Sequence, residues 1–574
     1  MIAGGTATGA VTAVERARTT IARAALDCSF LAAVIVVSLL TYVRGLGFHY
    51  DDYPILAREA GSHDQSLFGL YDAARPLVGQ RPVVAFIFAA LDRLFGLDPL
   101  GYHVVNACLL VAVAALLYLV LRELELPRLV CVAVPLVYST IPNYATNRFW
   151  ANTFNNTLSN ALFLLTVYAS IRALRARPAA LAGWLVLAAA AVVVGLFAYE
   201  VVVPLYALAV GLLVWVARRS TVRTLAAAWL TIGGLVAAVV AGGIVKTALV
   251  AEHGQNGYQL GFQSGLAHHL AYLVSGPLKL NVGTYFLAVP YVLWWIVRHR
   301  FDAANAGAAA AVGVLAFVYV LWLGRREPDA FRSGRHWRNL LRLGAVAFVL
   351  GYAIFLTNDQ VLFRSAGIDN RVNAAAALGV AAMLVGAIGA LASRLAERRR
   401  VAAFALAAGC VAAGGVFVID TLGSFWTSAV KEQHAIVRSL QQTEPSLPPS
   451  STVLLDGVCP EVGPAVVFAD QWDFAAALRL AYDDQSLAGD VATEDLHAGA
   501  RRLELEMTFL GRTSTRTYPY GPHLLVYDFP HRTVRVLRDR RTAARYLASR
   551  STPGCAPQRS FAWGFDPTRR FSLP

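Results

Sequence analysis

The sequence predicts an all-α polytopic membrane protein of about eleven transmembrane helices, followed by a small C-terminal α/β domain outside the membrane. Three observations predict this. First, 57% of the 574 residues are hydrophobic, 15% are charged and the mean hydropathy is +0.52. A soluble domain carries about 25% charged residues. Second, runs such as "CSFLAAVIVVSLLTYV", "LLVAVAALLYLVL" and "LAGWLVLAAAAVVVGLF" approach or reach the roughly 20 residues that cross a hydrocarbon core. Third, the chain changes character from residue 424, where strand and turn patterns replace the apolar runs.

Each element then follows in order. Arg16, Arg18 and Arg23 precede the first apolar run and place the N-terminus in the cytoplasm. No small-residue cleavage site follows, so the run stays as a span over 27–47. Residues 48–100 form an outer loop, in which "RPVVAFIFAALDRLFGL" reads as an interfacial helix interrupted by Asp92 and Arg93. Spans follow over 101–121, 129–146, 153–171, 181–198, 201–217 and 224–249. A second outer loop, 250–303, holds two apolar stretches read as interfacial. One span, 304–323, then leads to the basic loop "RREPDAFRSGRHWRNLLR"; three spans there is the alternative. The last spans are 340–357, 372–392 and 401–422. This divides the chain into a transmembrane domain, 1–423, and an outer domain, 424–574. The net charge of +14 comes from arginines in short loops between spans, which encodes orientation rather than a nucleic-acid partner. Arginine far exceeds lysine, which occurs only at 246, 279 and 431, and Ala and Val abound. This bias looks like a GC-rich bacterial genome and points to the cytoplasmic membrane.

In the outer domain, "SLPPSSTVLLDG" reads as a linker and a strand, "HLLVYDFPHRTVRVL" as a hairpin and 471–482 as a helix. Cys459 and Cys555 there either pair or stay as free thiols; closing so long a loop would give a nominal 4–5 kcal/mol. The other cysteines, Cys28, Cys108, Cys131 and Cys410, sit in or near spans, and no Cys or His spacing fits a metal.

The stretch that concentrates chemistry is "GLGFHYDDYPILAREAG", 45–61. Asp51 and Asp52 emerge directly after the first span, between Tyr50 and Tyr53. A solvated loop start with a capping Asp is the plain reading. Against it, two adjacent carboxylates at headgroup depth raise each other's pKa, and one near a cation can serve as a base. Cations expected on the same face are Arg371, Arg364, Lys279 and Arg148, with snorkelling toward headgroups as the alternative role. Arg148 lies among Asn147, Asn152, Asn155 and Asn156, which suits either sugar binding or a helix start. His268 and His269 open an apolar helix and could donate to a lipid phosphate. Glu200, an acid between spans, is either functional or the partner of an arginine such as Arg81.

"FHYDDYPIL", followed by Arg-Pro, the interfacial helix, "FGLDPLGYH" and an early Asn, resembles the N-terminal third of GT-C superfamily glycosyltransferases. "FAYEVVVPLY" is similar to a Lys-Glu…Pro element, with Tyr199 in place of the Lys, and Arg371 in "IDNRVN" matches the Arg of an Arg-Tyr element. "HLAYLVSGPLKL" resembles an outer-loop helix ending in Pro. The resemblance covers about residues 25–420 and implies a mannosyl- or arabinosyltransferase-like enzyme using a polyprenyl-phosphate-linked sugar donor. The acceptor would be a glycan, lipid or protein hydroxyl. It implies Asp51 as the base and Asp52 as a partner orienting the acceptor or a divalent cation, Mg or Mn, with the order of the two reversible. A lipid-linked-glycan flippase or ligase, and an envelope assembly protein acting through its outer domain, are the other classes considered.

Overall fold

The computed structural model describes residues 5–218, 224–252, 265–331, 334–357, 361–509 and 512–550. Helix α1 (Gly5–Val37) opens the bundle. Three short helices, α2 (Asp52–Ala60), α3 (Leu67–Val78) and α4 (Pro82–Phe95), follow at its far end. Then come α5 (Pro99–Glu123), α6 (Arg128–Thr140), the single turn α7 (Thr146–Phe149), α8 (Phe154–Arg175), α9 (Pro178–Ala198), α10 (Leu205–Ala217) and α11 (Thr224–Glu252). After α12 (Leu266–Leu278), α13 (Val289–His299), α14 (Ala303–Arg326), α15 (Arg335–Ala353) and α16 (Ala376–Ala392), the 47-residue α17 (Glu397–Thr443) leaves the bundle.

The chain is a multi-pass membrane protein by length and hydropathy. Eight of its described helices can cross a bilayer, or nine if the bent pair Leu266–Leu287 and Val289–His299 counts as one. Trp229, Val240, Ile244, Val314 and Val349 stand exposed on these helices, as lipid-facing side chains do. The other three expected spans are the shorter apolar helices α6, α10 and α16. A 13-residue helix is only about 20 Å long. Each of the three is shortened at one end by a 3-10 turn: Pro142–Tyr144 after α6, Glu200–Val202 before α10 and Ile368–Asn373 before α16. Pro142 and Pro204 explain the first two breaks, since proline has no N–H to give a helix. The two stretches expected to lie separately at the interface instead run nearly continuously. A π-helical segment, Lys279–Leu287, joins α12 to a 59° bend before α13.

Two contacts set the bundle's interior. Gly344 on α15 and Gly379 on α16 let their backbones touch: a Cβ at Gly379 would lie 2.3 Å from Phe348 N. At the end away from α2, buried Asp27 accepts from Arg128 Nε at 2.7 Å and Nη2 at 2.8 Å, and from the hydroxyls of Tyr118 and Tyr319 at 2.6 Å each. One carboxylate thus ties α1, α5, α6 and α14.

The anticipated boundary at 423/424 falls inside α17, which continues to Thr443 and carries the α/β domain without a break. Strands β1 (Thr452–Asp456), β2 (Glu461–Val462) and β3 (Ala465–Val466) precede α18 (Gln471–Tyr482). Next are β4 (Ala488–Val491), β5 (Leu496–Ala498), the hairpin β6 (Arg502–Phe509) and β7 (Arg512–Pro519), β8 (Leu524–Asp528), β9 (Thr533–Val536) and α19 (Arg540–Ser549). The main sheet has the order β4-β1-β8-β9, with β1 parallel to both its neighbours and β9 antiparallel to β8. The hairpin extends a separate sheet, β5-β6-β7. Cys459 is disulfide-bonded, and Cys555 lies outside the described residues.

Removing one partner of a buried ion pair leaves the other charge unpaired, at a cost of about 3–5 kcal/mol. Arg128→Ala should therefore lower the unfolding temperature in detergent sharply, while the double variant Asp27→Asn/Arg128→Met recovers part of the loss. Melting curves identical to the parent protein would refute the role of the pair.

Candidate active site

The site starts where α1 ends. After the 3-10 turn Val43–Gly45 the chain runs extended along α17, so close that a Cβ at Gly47 would lie 2.8 Å from a Val430 methyl. His49 is buried, its Nδ1 3.1 Å from the Val466 carbonyl and its ring edge-on to Trp426. Burial lowers its pKa to about 3, so it is neutral and supplies no cation to the acids. Tyr50 then takes φ +42°, the left-handed region, rare for an aromatic residue and costly. That kink lets two successive carboxylates face different surroundings.

Asp52 turns inward and is fully buried. Its Oδ2 accepts from His49 N and its Oδ1 from Asn152 N, both at 2.8 Å. Burial pushes its pKa well above the usual carboxylate value, although the two amides pull the other way. Asp51 turns outward and stays partly exposed. It accepts from Asn152 Nδ2 at 3.2 Å and from the Trp472 indole N–H at 3.0 Å. A carboxylate has about four acceptor positions, so each Asp51 oxygen keeps room for another donor.

Arg371 belongs to the same site. Its guanidinium lies 4.7 Å from the ring centroid of Trp150, whose indole N–H donates to the His49 carbonyl at 2.9 Å. Asn152, which bonds both acids, is two residues further along. Asn370 sets the position of Arg371. It accepts from Thr146 N at 3.0 Å and donates at 2.9 Å to both the Asn143 carbonyl and the Tyr285 hydroxyl, locking the turn Ile368–Asn373 onto 142–146. Arg364 is half exposed, its Nε 3.4 Å from Asp369 Oδ2.

Other expected residues go elsewhere. Arg148 is a correction. It is buried in the bundle, where Nη1 donates to Ser38 Oγ at 3.1 Å and Nη2 to the Ser139 carbonyl. The turn of α7 sends residue 148 inward and leaves 152 at the acids. His269 is buried with Nε2 2.8 Å from the Phe355 carbonyl, while His268 and Lys279 are exposed on the surface of their helix. Glu200 pairs with Arg81 at 2.7 Å, as its position between spans allowed, and also with Lys246 at 2.6 Å. Arg81 further stacks 4.2 Å above Tyr199. Sequence reasoning missed Lys246, although a lone cation in an apolar helix was a usable signal. It also missed Trp472, which lies beyond the family resemblance.

Among the described residues no group of three or more His, Cys, Asp or Glu side chains could hold a metal ion. Asp52, the residue considered for Mg or Mn, is fully buried and accepts one backbone amide on each oxygen. No step below is routed through a metal.

No family model and no curated protein matches the chain. Two solved structures of ArnT from Cupriavidus metallidurans resemble it, each at 14% identity and a TM-score of 0.35. The one bound to undecaprenyl phosphate aligns over 81% of this chain and 85% of its own. The apo one aligns over 83% and 87%. At that identity and TM-score the likeness carries no functional argument.

Beneath the site, Glu59 on α2 is buried and its carboxyl oxygens meet no donor among the described residues. Burial, with Asp92 nearby, raises its pKa from 4.5 to about 9. The folded protein therefore holds this proton where the unfolded chain loses it. The stabilisation is whole below about pH 4.5 and falls as pH rises toward 9. Glu59→Gln should flatten the decline of melting temperature across that window. An unchanged slope would show that Glu59 does not titrate there.

Proposed function

We propose that the protein is an inverting glycosyltransferase. It moves a hexosyl or pentosyl group from a polyprenyl-phosphate carrier to a hydroxyl acceptor at the outer face of the bacterial cytoplasmic membrane. One observation carries this reading: two adjacent carboxylates are divided in role. Asp52 is buried and holds the backbone at 49 and 152, while Asp51 faces outward with acceptor positions free.

The chemistry needs that division. A sugar hydroxyl is a weak nucleophile, so its proton must pass to a base as the attack proceeds. Asp51 takes the proton, the acceptor oxygen bonds to the anomeric carbon, and the anomeric C–O bond to phosphate breaks with its electron pair leaving on the lipid phosphate. Negative charge grows on that phosphate, where a guanidinium is the suited partner. Arg371 supplies it, kept on the same side as Asp51 by its seat on Trp150. The loops support this orientation. Arg122, Arg172, Arg175, Arg325 and Arg326 lie in the last turns of α5, α8 and α14, the ends away from the acids. Arginine is enriched on the cytoplasmic side, which favours an outer position for Asp51.

Asp51→Asn is nearly isosteric and cannot take the proton. Turnover should fall by roughly 10²–10⁴ with donor binding unchanged. Full transfer activity in that variant, measured with a polyprenyl-phosphate sugar in proteoliposomes, would remove Asp51 from the role and leave Asp52 to be tested. Arg371→Ala should raise the apparent donor KM more than Arg371→Lys, which keeps the charge but loses the planar fork. Parent-like kinetics in both would retire Arg371 as the phosphate partner.

A further inference from the structure

Trp472 stands apart from every other exposed side chain of its domain. Exposed large hydrophobics are common on the bundle and on the short helices beside it, where lipid covers them. Beyond residue 443, Trp472 is the one such side chain among the described residues, at 39% exposure. A water-facing domain gains nothing in stability from leaving an indole uncovered. This one is also not adrift: its N–H donates to Asp51 Oδ1 at 3.0 Å.

Its backbone is fixed as firmly. Trp472 is the second residue of α18, and its N–H donates to Asp470 Oδ1 at 2.8 Å. Asp470 and Asp473 form a reciprocal cap at that helix start. Asp473 accepts from Ala469 N at 2.8 Å and from Asp470 N at 3.1 Å. From the β6–β7 hairpin, Arg516 reaches across to Asp470 at 3.4 Å and Asp490 at 3.0 Å, so the second sheet braces the turn. The side chain is thus held at both its N–H and its backbone, with 39% of its surface left exposed beside the candidate base.

We propose that Trp472 is the acceptor platform, and that the acceptor is a carbohydrate whose ring stacks on the indole. A sugar ring has an apolar C–H face and hydroxyls around its edge. Laid on a flat aromatic face, it keeps those hydroxyls at the edge, where the remaining acceptor positions of Asp51 lie. A lipid tail would find a single ring too small a surface, and a peptide would need backbone partners that an indole face lacks. The inference rests on the transferase reading, and it gives the α/β domain the task of presenting the acceptor while the bundle holds the donor.

The test uses the full chain in lipid nanodiscs with a panel of neutral di- to tetrasaccharides of hexoses and pentoses, binding being read by calorimetry. The parent protein should bind at least one panel member. Trp472→Ala and Trp472→Leu should weaken it by roughly ten-fold or more, and Trp472→Phe, which keeps a stacking ring, by about three-fold at most. In transfer assays the Ala variant should raise the acceptor KM and leave the donor KM alone. Trp472→Phe should mainly lower turnover, because it loses the N–H that holds Asp51. No binding of any panel sugar by the parent protein overturns the platform. So does equal affinity in the folded Ala and Leu variants, or transfer onto a protein or lipid hydroxyl. Trp472-dependent sugar binding without transfer from any polyprenyl-phosphate sugar keeps the platform and sinks the transferase. Normal transfer with an unchanged acceptor KM in Trp472→Ala does the reverse.

Discussion

The site depends on one buried carboxylate. Asp52 accepts two backbone N–H groups from chain segments a hundred residues apart, His49 and Asn152, and so clamps the exit of α1 to the turn that follows α7. What the bundle brings to Asp51 is placed by that clamp. Asn152 is fixed by its own backbone N–H and can then offer its side chain to Asp51. Trp150, two residues earlier, bonds the His49 carbonyl and carries Arg371 on its face. A buried acid is expensive to desolvate, and hydrogen bonds such as these two offset part of that cost. Here the expense has a product: its neighbour in sequence can stay exposed without drifting.

A second constraint is the collection of broken helices at the same end of the bundle. Non-helical backbone at membrane depth needs internal partners for its N–H and C=O groups. The asparagines supply them. Asn370 meets Thr146, Asn143 and Tyr285, Asn373 accepts from Tyr352, and Asn143 donates to Asn281 at 2.7 Å. The cluster that the sequence singled out is a different one, Asn147, Asn152, Asn155 and Asn156. Asn152 alone among them bonds the acids.

What was legible in the sequence follows from how local each feature is. The acid pair could be read because its place directly after an apolar run needs no tertiary knowledge. Glu200 with Arg81, and the position of Arg371, followed from charges stranded at span ends. The direction of Arg148 was not legible, since a single tight turn decides whether residue 148 or residue 152 faces the acids. The lengths of α6, α10 and α16 were not legible either, because hydropathy continues through the 3-10 turns that end them. Lys246 was legible as a lone cation in an apolar helix, but its partners needed the packing of α11 against α9, where its ammonium also donates to the Leu196 carbonyl at 2.8 Å. Trp472 needed the docking of a domain whose sequence carries no signal of where it sits.

That docking is itself a consequence of α17. A 47-residue helix spans about 70 Å, more than twice a hydrocarbon core, so it enters the α/β domain as a continuous rod. Along it, Gln433 donates to the Val467 carbonyl at 2.7 Å and accepts from the Tyr53 hydroxyl at 3.2 Å, touching the domain and the acid loop with one side chain. Further on, Ser439 accepts from the buried Tyr527 of the main sheet at 2.7 Å. A flexible linker would let the domain swing, and the indole of Trp472 would meet Asp51 only in a fraction of molecules. A rigid helix with contacts at both levels removes that freedom before any ligand arrives, which is how a site on two domains can hold the geometry of one.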